Sequence, residues 1–353
     1  MRFGFVGLGF AARWLHLPAV RAVAGATVVG GVDNDPAQRA EWMRQGGGGV
    51  YGDLAGLLEA GRPDVVVIAT PPDSHARLAV EALEAGAHVL CEKPFVATLE
   101  EADRVLQVAR DRDRVVAVNH EFRFMPIFAA VHDAVGRPEV GRAVFLHCTQ
   151  FMDLPPWDEK VPWRAAMPDR SLFEGGVHLV DLLHLVAGRM PVAVQAATSS
   201  GLDPSREADA IHLLTLDYGA GLLAQVTIDR LCPAGTRYVD LRVDCERASL
   251  RASFGGRAFL QVGVKRAERP GVRVDFGPEG LAWSERGLAR SVLARNPRNA
   301  TQKATQRLYQ ATVAALRAGT EPPTAARVAR ETLAIIEASY RSARTGGRVT
   351  LGA

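Results

Sequence analysis

The chain opens on an apolar, β-rich run, Arg2 to Val6, that breaks into Gly7-Leu8-Gly9-Phe10-Ala11-Ala12 and then into a helical pattern. No other segment constrains the fold as strongly. A strand that turns through two glycines into a helix leaves the first helical N–H groups open and lets the backbone come close to a pyrophosphate. The next strand-like run, Thr27 to Val32, leads to Asp33, 21 residues after Ala12, where an acidic side chain can take both hydroxyls of a ribose. A GxGxxA turn alone recurs in many folds, and it is the acidic residue after the second strand that gives the pair its weight. Asn34 and Asp35 follow with no immediate Arg or Lys for a 2′-phosphate, so NAD is expected in preference to NADP. Gly7, Gly9, Phe10, Ala11, Asp33 and Asn34 are the expected cofactor contacts of this segment.

The same rhythm continues to about Asn119. Strand candidates at Arg2 to Val6, Thr27 to Val32, Asp64 to Ala69, His88 to Cys91 and Val115 to Val118 alternate with helix candidates at Ala12 to Val23, Ser74 to Ala85 and Thr98 to Arg112. That pattern predicts a Rossmann-type, doubly wound parallel sheet with helices on both faces. After residue 120 come a helix at Ile127 to Val135, a strand at Ala143 to Phe151, a Pro/Trp-rich loop to Arg170 and a helix from Glu174. Alternating runs from Val192 to Val264, with turns at Asp217-Tyr218-Gly219, Pro233-Ala234-Gly235 and Gly255-Gly256, predict a large, mostly antiparallel sheet in an α+β domain. Helices at Thr301 to Arg317 and Thr324 to Arg344 close the chain. The expected division is therefore a dinucleotide-binding domain over 1–120 and a substrate-binding and oligomerisation domain over 121–353, with the C-terminal helices able to pack back on the first.

Composition narrows the function classes. A net charge of +3, from 42 basic and 39 acidic residues in 353, is too slight a bias for a nucleic-acid or membrane-surface partner. No apolar run approaches the length of a membrane span. Cys91, Cys148, Cys232 and Cys245 are far apart, with neither a CxxC pair nor metal-ligand spacing, so neither a disulfide framework nor a metal site is expected, and a reducing cytoplasm fits best.

The segment ATPPDSHARLAVEALEAGAHVLCEKPFVATLEEA, residues 69 to 102, resembles the glucose-fructose oxidoreductase / inositol dehydrogenase / rhizopine-catabolism (Gfo/Idh/MocA) family, with Glu92-Lys93-Pro94 its most specific mark. The likeness extends over nearly the whole chain, through His16, VNHEFRFMP (118 to 126), Trp163-Arg164, EGGVHLVD (174 to 181) and the ending EASYRSARTGGRV. It implies that Thr70-Pro71-Pro72, past a strand end, lies along the cofactor, and that His75, Glu92, Lys93, Glu121, Trp163 and Arg164 are cofactor-side positions. It implies substrate contacts at Lys93, Arg123, Glu174, His178 and Asp181, and a homodimer or homotetramer formed through the C-terminal sheet. In this family the Lys-Pro bond is often cis.

Glu174 and His178 stand four apart on the expected helix, which would put them on one face, with Asp181 continuing it. A hydride leaving a carbinol carbon requires the hydroxyl proton to leave as well. By resemblance His178 takes that proton, Lys93, in an apolar neighbourhood that could lower its pKa, stabilises the developing alkoxide, and Glu174 orients the imidazole or a substrate hydroxyl. Glu174 replaces the Asp that inositol dehydrogenase-like members carry, which leaves its reach in doubt. A metal site from Glu174, His178 and His184 is disfavoured because His184 is six positions on and points elsewhere. The expected function is an NAD-dependent dehydrogenase or reductase acting on the CH–OH group of a sugar, polyol or related hydroxy or keto compound. Two alternatives stay open: an enzyme that recycles tightly bound NAD within one turnover, and a non-catalytic NAD-binding sensor, against which the intact Lys93 and His178 argue.

Overall fold

A computed structural model of the chain describes residues 1–152, 162–165, 167, 170–202, 209–233, 238–255, 259–263, 271–275, 279–287 and 289–352. These divide into two compact units, Met1–Phe124 with Thr301–Ile336, and Met125–Ala300 with Glu337–Ala353. The final long helix, Ala326–Thr345, contributes its first part to one unit and its end to the other.

The first unit is built on a parallel sheet of β1 (Arg2–Val6), β2 (Thr27–Val32), β3 (Gly49–Tyr51), β4 (Val65–Ile68), β5 (His88–Cys91) and β6 (Val116–Val118). Its order is β3-β2-β1-β4-β5-β6, so the winding reverses between β1 and β4. In an open sheet of this kind ligands bind outside the carboxyl ends of the strands at that reversal. The strands expected from sequence are all present, β4 and β6 being shorter at their ends. Val65–Ile68 is buried on both faces and accordingly reads as a continuous apolar run rather than an alternating one. The helix Pro36–Arg44 is set by an Asp-Pro start: Pro36 opens the first turn, and the Asp35 carboxylate accepts the Ala37 N–H.

The helix after the glycine turn is irregular. Residues Ala12–His16 form a widened, π-helical turn before Leu17–Arg21 continues as α-helix. Pro18 has no N–H to give the Trp14 carbonyl, which instead accepts Gln302 Nε2 at 2.9 Å from the helix Ala300–Ala318. That later helix belongs to the first unit over most of its length and completes its core, where Leu308, Tyr309 and Val313 pack with Phe3, Phe5, Leu8, Leu17 and Trp42.

The second unit carries a nine-stranded sheet of β7 (Ala143–Phe151), β8 (Ala193–Ser199), β9 (Ile211–Asp217), β10 (Leu223–Asp229), β11 (Val239–Cys245), β12 (Ser249–Phe254), β15 (Leu281–Arg286), β16 (Ala289–Arg295) and β17 (Val349–Thr350). β13 (Phe259–Gly263) and β14 (Gly271–Asp275) form a separate hairpin. The large sheet runs β16-β15-β12-β11-β7-β10-β9-β8-β17 and is antiparallel except for the parallel pair β7 and β10. Period-2 alternation sorts its faces. Leu146, Cys148, Leu214, Leu216, Ala224, Val226, Leu241 and Val243 are buried on one side, which the helices Pro126–Ala134 and Val177–Ala187 cover. Phe145, Leu213, Thr215, Leu223, Gln225 and Arg242 lie on the other. The expected turn at Asp217-Tyr218-Gly219 joins β9 to β10, and Gly219 N–H donates to the Asp217 carboxylate at 2.8 Å. Ala234, Gly235, Gly256 and much of the Pro/Trp-rich stretch, 153–161, 166, 168 and 169, lie outside the described residues.

Among the described residues no helix is long and apolar enough to cross a membrane. The four cysteines are free thiols. Because Leu308 is fully buried against the first unit's core, Leu308→Ala is expected to cost about 3 kcal/mol. Urea unfolding followed by circular dichroism measures the loss.

Candidate active site

The glycine turn leaves β1 with Gly7 N–H donating to the Val32 carbonyl at 2.9 Å. Gly7 has φ +83°, and a Cβ there would sit 2.6 Å from the Ala69 carbonyl oxygen, so only glycine fits. At Gly9 the reverse holds: an added Cβ would meet nothing within 4 Å. That open space over a close-approach backbone fits the diphosphate of NAD. Asp33, half-buried, accepts Leu8 N–H at 2.7 Å and Asp35 N–H at 2.8 Å, one on each oxygen. Two acceptor positions thus clamp the turn, and a carboxylate retains others for a ribose. Asn34 is exposed beside it, Ala11 is half-buried, and Phe10 is 70% exposed, stacked on Trp14 at 5.2 Å. One cation lies closer to this end than sequence distance suggested. Arg39, one turn along Pro36–Arg44, donates to the carbonyls of Asp33 (2.7 Å) and Asn34 (3.0 Å).

At the end of β4, Thr70, Pro71 and Pro72 form the expected loop. Ser74 Oγ donates to the Pro71 carbonyl at 2.8 Å and stands 2.6 Å from Thr70 Oγ1. His75 opens the helix His75–Glu84 and is fully buried. Its Nε2 is 2.8 Å from the Thr70 carbonyl, and its Nδ1 is 3.0 and 3.1 Å from those of Pro94 and Phe95. It staples the β4 loop to the segment following Lys93. Burial lowers its pKa, and the three carbonyls push the other way.

β5 delivers Glu92 and Lys93 at the same sheet edge, and the Lys93-Pro94 bond is cis. Lys93 is half-buried, and its surroundings are not simply apolar, because the Glu92 carboxylate interacts with it. Glu92 Oε1 lies 2.7 Å from His16 Nε2 and accepts Asn119 Nδ2 at 2.8 Å, while Oε2 accepts the Lys93 N–H at 3.0 Å. Burial alone would raise this carboxyl, but His16, Lys93 and Asn119 hold it down to about 2. Glu121 is buried and Arg123 half-buried in the short turn Glu121–Phe124 after β6.

The second unit supplies a different cluster. Glu174 is not on a regular helix: Ser171–Gly176 is a π-helical segment, and the α-helix starts at Val177. The four-residue spacing of Glu174 and His178 therefore spans the junction of two helix types rather than one regular α-helix. Glu174 instead takes Arg164 Nη2 on one oxygen at 2.8 Å and Arg230 Nη2 on the other at 3.5 Å, and the Arg164 guanidinium lies 5.0 Å from the Trp163 ring centre. His178, Asp181 and His184 are buried on Val177–Ala187. Among the described residues no group of three or more His, Cys, Asp or Glu is placed to hold a metal ion.

Gly175 and Gly176 make this segment possible. A Cβ on Gly175 would come within 2.6 Å of Arg230 Nη2, and one on Gly176 within 2.3 Å of Ile228 Cδ1. Asp209, which carries no sequence motif, tethers the start of the segment. Its carboxylate accepts Ser171 N–H at 2.8 Å and Tyr340 Oη–H at 2.6 Å, and Tyr340 Oη in turn lies 3.2 Å from the N–H groups of Leu172 and Phe173. These are the N–H groups a helix start leaves open. Neighbouring His212, 4.0 Å from Asp209, has its pKa lowered by burial. Arg230, Asp209 and Tyr309 escaped sequence reading because each is an isolated residue far from the motif it serves; Asn119 and Tyr340 fall within segments that carry the family resemblance but were given no role there, and only the Gly175-Gly176 pair signalled close packing.

Residues 1–120 match the family model described as an oxidoreductase family with an NAD-binding Rossmann fold, and residues 128–251 match the GFO/IDH/MocA C-terminal domain. The chain is 30% identical to a D-apiose dehydrogenase of Paraburkholderia graminis, over 98% of this chain and 88% of that one. It is also 30% identical to an inositol 2-dehydrogenase of Saccharopolyspora erythraea, over 79% of this chain and 80% of that one. An oxidoreductase from Agrobacterium radiobacter, solved in complex with NAD+, L-tartaric acid and magnesium, shares the fold with a TM-score of 0.83 at 21% identity, over 99% and 98% of the two chains.

Two outcomes follow from this geometry. Glu92 stabilises the fold fully above the ordinary carboxyl value of 4.5, and that share is lost as pH falls toward about 2, an effect of about 3 kcal/mol. Chemical denaturation between pH 6 and pH 3 is expected to show a shallower pH slope in Glu92→Gln than in the parent. Gly175→Ala, by displacing Arg230, is expected to cost about 1–2 kcal/mol of stability, measured by thermal melting.

Proposed function

Because the chain belongs to the GFO/IDH/MocA oxidoreductase family, we propose that it interconverts a CH–OH group and a carbonyl of a sugar, polyol or related hydroxy or keto compound, with NAD as cofactor. The observation that carries this reading is the meeting of three loops at one sheet edge. β1, β4 and β5 are neighbours in the order β3-β2-β1-β4-β5-β6, so the Gly7–Gly9 turn, the Thr70–Pro72 loop and Glu92-Lys93 leave adjacent strand ends. A cofactor cradle and a half-buried lysine stand side by side there, as dehydrogenation requires. The relatives' names, D-apiose dehydrogenase and inositol 2-dehydrogenase, support a carbohydrate-like substrate.

NAD, when bound, takes up or gives back the hydride of the carbinol carbon. In this assignment His178 takes the hydroxyl proton and Lys93 stabilises the alkoxide oxygen. Their pairing rests on family position and on the chemistry of the two groups. Glu174, engaged by Arg164 and Arg230, orients the substrate side as a positioning residue. Arg123 and Asp181 as substrate contacts, and Trp163, Arg164, His75 and Glu121 as cofactor-side residues, rest on family position. Asp33 and Asn34 favour NAD over NADP; the Arg39 guanidinium, directed at two main-chain carbonyls, is committed to the strand end rather than to a 2′-phosphate. Assembly as a homodimer or homotetramer through the outer sheet face is supported by exposed Leu213 and Leu223 there.

A panel of inositols, aldoses and sugar acids, assayed with NAD+ and NADP+ at 340 nm, tests the reading. Turnover is expected with NAD+, falling by about 100-fold or more in Lys93→Met and in His178→Gln, with NAD+ binding retained in both. Full activity in either variant overturns the assignment.

A further inference from the structure

We propose that His16, braced by Tyr309, is a positioning residue that holds Glu92 and through it sets the place of Lys93, so that the helix Ala300–Ala318 reaches the proposed catalytic lysine. The inference rests on the reading of Lys93 as a residue of the reaction. It concerns groups that the reaction itself leaves unused.

His16 ends the widened turn Ala12–His16 and is fully buried. Its two ring nitrogens point to two different partners: Nε2 to Glu92 Oε1 at 2.7 Å, and Nδ1 to Tyr309 Oη at 2.8 Å. Tyr309 is fully buried too, on the helix whose Gln302 satisfies the Trp14 carbonyl orphaned by Pro18. The same helix thus compensates the irregular turn and supports the imidazole that the turn presents.

Proton accounting then decides what the chain of groups can do. Glu92 is held ionised, and burial pushes the Tyr309 phenol well above its ordinary value, so the phenol keeps its proton. An ionised carboxylate only accepts, so Nε2 carries a hydrogen toward Glu92, while Nδ1 and the Tyr309 hydroxyl share the second hydrogen bond. With one end held ionised and the other held protonated, the path is unsuited to proton relay. It acts as a brace. Glu92 Oε1 receives His16 and Asn119, while Oε2 receives the main-chain N–H of Lys93. Removing His16 takes a hydrogen bond from a buried ion, and the carboxylate that anchors the lysine main chain must then turn to find another donor.

The test reads Lys93 directly. The sequence has four lysines, Lys93, Lys160, Lys265 and Lys303. Reductive ¹³C-methylation of the full chain therefore gives few NMR signals, and that of Lys93 is identified by its absence in Lys93→Arg. In His16→Leu the Lys93 signal is expected to shift while that of Lys303 stays. His16→Gln, whose Nε2 can still donate to Glu92, is expected to restore the parental shift, and Tyr309→Phe to give a smaller displacement. In turnover of D-apiose or myo-inositol, His16→Leu is expected to lower kcat by about 10- to 100-fold, with His16→Gln recovering most of it and NAD+ affinity unchanged in both. A Lys93 signal unmoved in folded His16→Leu and Tyr309→Phe overturns the brace, as does an equal loss in the Leu and Gln variants. If His16→Leu does not fold, Tyr309→Phe against His16→Gln makes the same comparison. Undiminished turnover in Lys93→Met overturns instead the reading on which the inference rests, whatever His16 does.

Discussion

A carboxylate kept ionised in a protein interior must be surrounded by donors, and Glu92 organises the first unit around that requirement. Its donors come from three separate places in the chain, His16 from the helix after β1, Asn119 from the end of β6 and the Lys93 main chain beside it, and Tyr309 from a C-terminal helix holds His16 in turn. Each of these segments is fixed partly by serving one ion. The residue next to that ion is the lysine to which the chemistry is assigned.

The same economy recurs in the second unit with a different anion. Asp209 and Tyr340 occupy the open N–H groups at the start of Ser171–Gly176, and Glu174 lies between Arg164 and Arg230. Both units therefore place their candidate functional residues on locally irregular backbone: a widened turn that ends at His16 and another that carries Glu174. Irregular turns aim side chains in directions an ideal helix does not allow, at a cost in local hydrogen bonding that neighbours must offset. Gln302 does this for Trp14 in one unit, and Asp209 with Tyr340 does it in the other.

Much of the architecture was legible in the sequence because period and punctuation are local properties. The five strands of the first unit that the sequence marked, the glycine turn and the antiparallel character of the second sheet follow from alternation, capping residues and glycine placement. The Glu92-Lys93-Pro94 motif marked the lysine at the end of β5, and Asp33 stands just past the end of β2 as its sequence position suggested. What local spacing does not convey is where the backbone departs from ideal geometry and which side chains become buried. Glu174 lies in a π-helical segment and His178 on the α-helix that follows it, and His75, in the first turn of its helix as expected, is also buried as a staple between two loops.

What the sequence determined by itself was the class of chemistry: a strand-turn-helix able to hold a dinucleotide, an acidic residue just past the next strand, and a lysine at a neighbouring strand end. What only the tertiary structure decided was which residues hold those groups in place. Tyr309 stands 293 residues from His16, Tyr340 131 from Asp209, and Arg230 56 from Glu174. No periodicity links such pairs, because a hydrogen bond to a buried ion depends on which side chains the packed core brings within 3 Å, and that is settled by the fold as a whole.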